Sequence, residues 1–127
     1  MADGVLRGCH VLVVEDEFML AEDLSLELAD AGAVVIGPAQ TLERAIELLA
    51  RPDALDVAVL DVNLQGKPVY PVADALFERK VPFVFTTGYD ASILPARFRS
   101  VDCCSKPIDM GRLLEALQTA IVTARAV

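Results

Sequence analysis

The alternation of short apolar runs with helix-period segments, repeated from one end of the chain to the other, most restricts what this sequence can fold into. Runs at 10–14, 34–36, 57–60, 82–86 and 101–105 are rich in β-branched and other apolar residues, and each ends at a polar, acidic or glycine break. Between them lie helical patterns. Leu20, Leu24 and Leu28 recur along one face of a segment spanning 18–31, which Gly32 is placed to end. Thr41 is positioned to cap a second helix with Leu42, Ala45, Ile46 and Leu49 inward, and Pro52 marks its end. Gly37-Pro38 closes the second strand, and residues 63–71, with Gly66, Pro68 and Pro71, read as a loop before a helix at 72–79. Asp109 caps a last helix carrying Leu113, Leu114, Leu117 and Ile121. The helical pattern is weakest over 91–99, where Pro95 lacks the usual backbone donor, so a short or mobile fourth helix is expected there.

Five such units imply an α/β fold, a five-stranded parallel sheet with helices on both faces. Continuous apolar runs at 11–14, 57–60 and 83–85 fit central strands buried on both sides. At 127 residues one domain is expected over 1–127, with a core of about 9–125 and no output domain. Eleven basic against nineteen acidic residues give a net charge of −8, which disfavours nucleic acid and anionic membrane surfaces as partners. The first ten residues lack a signal-peptide run, and the expected location is cytoplasmic. Cys9, Cys103 and Cys104 have no metal-ligand spacing, and neighbours on a strand face opposite ways, so all three are expected to be reduced.

Ligands in such folds bind beyond the carboxyl ends of the strands. Those ends carry Glu15 and Asp16, then Asp61, then Thr86-Thr87-Gly88, then Lys106-Pro107. Clustered carboxylates repel one another unless a cation neutralises them, and hard oxygen ligands suit Mg²⁺ or Ca²⁺. Mg²⁺, which keeps several waters and takes few carboxylates, matches this sparse set. A carboxylate beside such a metal can attack phosphorus, and Asp61, at the end of a buried strand, is the candidate for an aspartyl-phosphate. Lys106, the Thr87 hydroxyl and the metal would then neutralise the three phosphoryl oxygens. His10 lies away from this cluster and is assigned a structural role, Tyr70 is read as a packing residue, and Tyr89 is a candidate gate beside Asp61.

Four motifs in order, VLVVEDE, VLDVN, FTTGY and CSKP, each at a strand end, resemble the response-regulator receiver family over nearly the whole chain. The resemblance implies a flavodoxin-like (βα)5 fold with strand order 2-1-3-4-5. It implies Asp16, Asp61 and the backbone carbonyl of Asn63 as direct Mg²⁺ ligands, Glu15 acting through water or at longer range, and Thr87 as the switch hydroxyl with Thr86 as substitute. It further implies a sensor histidine kinase or phosphotransfer protein as donor, and readout by a downstream protein or removal of phosphate from a shared kinase. The sequence departs from the family pattern in having Leu64-Gln65-Gly66 after the phosphoacceptor and Cys103 where an aromatic switch usually stands. FTTGY is similar to the "FAT GUY" receivers, which work with kinases of the HWE or related class. Two other readings stay open: a metal-dependent aspartyl phosphatase, although Asn63 stands where such enzymes carry a second acid, and a receiver-like interaction module that is never phosphorylated.

Overall fold

A computed structural model describes residues 4–51, 54–88 and 94–126. The elements run β1 (His10–Val14), α1 (Phe18–Asp30), β2 (Val34–Ala39), α2 (Leu42–Leu49), β3 (Val57–Asp61), β4 (Asn63–Leu64), β5 (Lys67–Pro68), α3 (Tyr70–Glu78), β6 (Phe83–Thr87), a 3-10 turn (Ala96–Phe98), β7 (Cys103–Ser105) and α4 (Met110–Arg125). Five strands form one parallel sheet in the order β2-β1-β3-β6-β7, which is 2-1-3-4-5 among the strands of that sheet. Tyr89, residues 90–93 and Pro52 lie outside the described residues, and with them the proposed gate and most of the weak helical segment.

Strand alternation divides the core in two. Leu12, Val14, Ala58, Leu60, Phe83 and Phe85 meet Ala45 and Leu48 of α2, Val72, Ala73 and Leu76 of α3, and Phe98. Val11, Val13, Val57, Val59, Val84 and Cys104 meet Leu24 and Leu28 of α1 and Leu113, Leu117 and Ile121 of α4. Every residue of β3 and β6 is buried, as strands covered on both faces require. The packed body reaches further toward the N-terminus than residue 9: Leu6 is fully buried, and its N–H donates to Ala31 O at 2.9 Å. At the opposite end of the sheet from the acidic cluster, Asp56 accepts the His10 N–H at 2.7 Å and lies 3.5 Å from His10 Nδ1, which gives His10 its structural role.

Several boundaries differ from the sequence reading. The second strand continues through Gly37-Pro38 to Ala39, because β2 is an edge strand where a missing N–H leaves no inner ladder bond unmade, and the register against β1 shifts there. The fifth strand starts at Cys103 rather than at 101. Helix α3 begins at Tyr70, with Pro71 in its first turn, where proline's absent N–H has no partner to lose. The inner face of α2 is Ala45 and Leu48, with Leu42 and Leu49 packed alongside, while Ile46 is 47% exposed. Both expected caps are present: Thr41 accepts from Arg44 N and Asp109 from Arg112 N, each at 3.1 Å.

The α2 correction has a measurable consequence. Leu48→Ala should lower the free energy of urea unfolding by about 2–4 kcal/mol, whereas Ile46→Ala should change it by less than about 1 kcal/mol.

Candidate functional site

Four strands, β1, β3, β6 and β7, deliver the candidate residues to one edge. Val14 pairs with Leu60 and Asp61 with Thr86, so the turn after β1 lies beside the end of β3. Carboxylate oxygens of Glu15, Asp16 and Asp61 all lie within 4.8 Å of one another. Lys106 enters from beyond β7, its backbone N–H fixed on Thr87 O at 2.8 Å. Its Nζ donates to Asp61 Oδ2 at 2.8 Å and lies 3.2 Å from Glu15 Oε1. The Lys106–Pro107 peptide bond is cis. Asp16, Asp61, Asn63, Gly88 and Lys106 line a cleft of about 340 Å³.

The electrostatics of the cluster follow from burial. Glu15 is fully buried, and its carboxyl is pushed up to about 8. Burial is the chief cause; the hydrogen bond from the Glu17 N–H pulls the other way, the Asp61 charge pushes further, and the Lys106 charge pulls back. Burial alone would lower the Lys106 ammonium, but the hydrogen bond and charge of Asp61, with the charge of Glu15, hold it above the usual lysine value. With all three carboxylates ionised, one ammonium leaves two negative charges, which a divalent cation cancels. Glu15 Oε1 is buried and, despite its closeness to Lys106, accepts no hydrogen bond. An unserved buried oxygen within an all-oxygen donor set fits a hard cation.

A hairpin that the sequence reading took for loop forms part of this edge. Asn63–Leu64 pairs antiparallel with Lys67–Pro68 around Gln65 and Gly66, whose φ values of 53° and 88° are those of a type I′ turn. Asn63 Oδ1 accepts the Gly66 N–H at 2.8 Å, and the Gln65 N–H donates to Asp16 Oδ2 at 2.9 Å. Lys67 reaches α2 through Glu43 at 2.7 Å. The Gln65-Gly66 pair between short flanking runs was the available signal. The Asn63 N–H donates to Asp61 Oδ1 at 3.1 Å, orienting the carboxylate.

The expected residues are thus gathered, with one distinction. Glu15, Asp16, Asp61, Asn63 and Lys106 share the cleft or its floor, whereas Thr86 and Thr87, both buried, do not line it. A family model described as the response regulator receiver domain matches residues 11–118. The chain belongs to the response regulator receiver family. A receiver protein of Sinorhizobium medicae has a similar structure at 25% identity and a TM-score of 0.80, covering 94% of this chain and 98% of its own. Two others share the fold at lower identity. A CheY-like receiver domain protein of Methanospirillum hungatei is 18% identical, with a TM-score of 0.80 and 94% of this chain and 98% of that one covered. The response regulator PhyR of Brucella abortus is 19% identical with a TM-score of 0.80, and 97% of this receiver covers 52% of that chain. No curated protein sequence matches the chain. Receivers act in two-component signalling as phosphoacceptors rather than as enzymes of the usual kind, and histidine kinases are their partners. Among the described residues no helix is long and apolar enough to cross a membrane.

The raised Glu15 carboxyl fixes a pH dependence for the metal-free receiver. A group protonated more tightly when folded supports the fold at low pH and loses that support as pH climbs from its ordinary 4.5 toward about 8. Glu15→Gln should therefore match wild type near pH 4.5 and exceed it by roughly 2–4 kcal/mol at pH 8 in urea melts with chelator present.

Proposed function

We propose that Asp61 accepts a phosphoryl group from a phosphohistidine on a sensor histidine kinase or phosphotransfer protein. The observation that carries the reading is the 2.8 Å contact of Lys106 Nζ with a nearly buried Asp61, inside a carboxylate cluster with an unserved oxygen. An Asp61 carboxylate oxygen attacks phosphorus in line with the leaving imidazole. The phosphorus–nitrogen bond breaks as the phosphorus–oxygen bond forms, and its electron pair returns to the imidazole nitrogen, which takes a proton from solvent.

Asp16, Asp61 and the Asn63 backbone carbonyl would hold Mg²⁺, with Glu15 behind them through a water. Mg²⁺ supplies positive charge against the phosphoryl oxygens. The chain's own residues do the rest. The Asn63 N–H aims the Asp61 carboxylate, Lys106 moves its charge from that carboxylate to a phosphoryl oxygen, and the Thr87 hydroxyl serves another oxygen. Asn63 Oδ1 is engaged by the Gly66 N–H, so the position two residues past Asp61 serves the turn rather than acting as the second acid of a phosphatase.

Residues 1–127 are taken as one receiver domain that signals in the cytoplasm. Its reader is a downstream protein, or a shared kinase from which it drains phosphate. The FTTGY run is the basis for reading the chain as one of the "FAT GUY" subgroup, with an HWE-type kinase as donor.

Intact mass after incubation with Mg²⁺ and acetyl phosphate tests the reading. One added phosphoryl group is expected, absent with chelator and absent in Asp61→Asn, and formed on the order of 10²-fold more slowly in Lys106→Ala. An adduct that persists in Asp61→Asn would overturn the assignment.

A further inference from the structure

Thr86 is fully buried, and its hydroxyl oxygen has no hydrogen-bond partner. A buried hydroxyl left unpaired is destabilising, and removal of the group without change of shape is often neutral or favourable. Its position is informative. Thr86 is the direct parallel partner of Asp61 across β3 and β6, and paired residues on neighbouring strands project from the same face. The core confirms that face: Val57, Val59, Val84 and Cys104, at matching alternation, all pack on the α1 and α4 side. Thr87, one residue on, alternates with Phe83 and Phe85, which pack on the other side. The two hydroxyls therefore cannot do the same work.

In the unphosphorylated protein both Asp61 oxygens already have donors, the Asn63 N–H on Oδ1 and Lys106 on Oδ2. Phosphorylation alters that count. The new phosphoryl charge draws the lysine to itself, and the carboxyl keeps one carbonyl oxygen in a nearly buried place. Where phosphorus bonds Oδ1, which already accepts the Asn63 N–H, that oxygen is Oδ2, vacated by Lys106, and of its two lone pairs ligation of Mg²⁺ uses one. We infer that the Thr86 hydroxyl, orphaned beside Asp61 on the same sheet face, donates to the Asp61 carbonyl oxygen in the phosphorylated state and so favours that state over the unphosphorylated one. Rotation about the threonine side-chain bond between staggered positions redirects the hydroxyl without moving the strand. The inference rests on Asp61 being the phosphoacceptor.

The test uses beryllium trifluoride with Mg²⁺, a non-covalent mimic of the phosphoryl group on aspartate, titrated by ¹⁹F NMR into wild type, Thr86→Val and Thr86→Ser. Valine keeps the shape and removes the hydroxyl; serine keeps the hydroxyl. Thr86→Val should melt at or above the wild-type temperature without ligand, bind Mg²⁺ alone within twofold of wild type, and bind the fluoride about 5- to 10-fold more weakly. Thr86→Ser should bind it within about twofold of wild type. Fluoride affinity in Thr86→Val equal to wild type would overturn the inference alone, and so would a serine variant as weak as valine, since the methyl packing would then be responsible. Failure of the wild-type protein to bind the fluoride would overturn the phosphoacceptor reading and this inference with it.

Discussion

A fully buried glutamate beside a nearly buried aspartate is an arrangement that loss of hydration ordinarily disfavours, and Lys106 is the counter-charge that makes it tenable. The lysine can span both because its own backbone is anchored to Thr87 O, which sets it at the mouth of the sheet rather than on a free loop. Once Glu15 gives up its proton, one ammonium against three carboxylates leaves the site short of positive charge. That deficit makes the edge receptive to a divalent cation. The sheet must be closed by helices on both faces for this to hold, since solvent at either side would screen the deficit away.

The same constraint explains the ornaments around the site. The β4–β5 hairpin turns the segment after Asp61 back on itself, presents the Asn63 N–H to the Asp61 carboxylate and ties Asp16 to the Gln65 backbone. Its lysine reaches Glu43, so the loop is fastened at both ends of the edge. On the α2–α3 side, Phe98 stacks on Phe77, meets Phe85 edge-on and packs against a tilted Tyr70 ring, and Arg97 lies 4.4 Å from its ring while bonding Asp74 with two nitrogens. These contacts pin the chain just after residues 89–93 to α3. Cys103, in the place of an aromatic residue, packs on the same side, and its thiol is held above the ordinary range by burial, as is that of Cys104. Neither thiol is primed as a nucleophile.

The fold and the acidic cluster were legible because both depend on local pattern. Period-2 and period-3.6 runs state which segments are strands and helices, and parallel β-α topology sends every strand end to one edge, so Glu15, Asp16, Asp61 and Lys106 could be gathered before any coordinate was known. What failed was also local in appearance but tertiary in cause. Pro38 reads as a stop, yet an edge strand tolerates it; Ile46 reads as inner, yet α2 buries Ala45 and Leu48 and leaves Ile46 exposed.

By itself, then, the sequence determined the element order, the sheet class and the chemical identity of the groups at its carboxyl edge, since backbone periodicity and side-chain chemistry are properties of neighbours along the chain. Tertiary structure alone decided which oxygens Lys106 bonds, that Glu15 is buried deeply enough to hold its proton, that Gln65 reaches Asp16, and that Thr86 rather than Thr87 shares a face with Asp61. Those depend on strand register and on exclusion of water, quantities fixed between residues 25 to 91 positions apart.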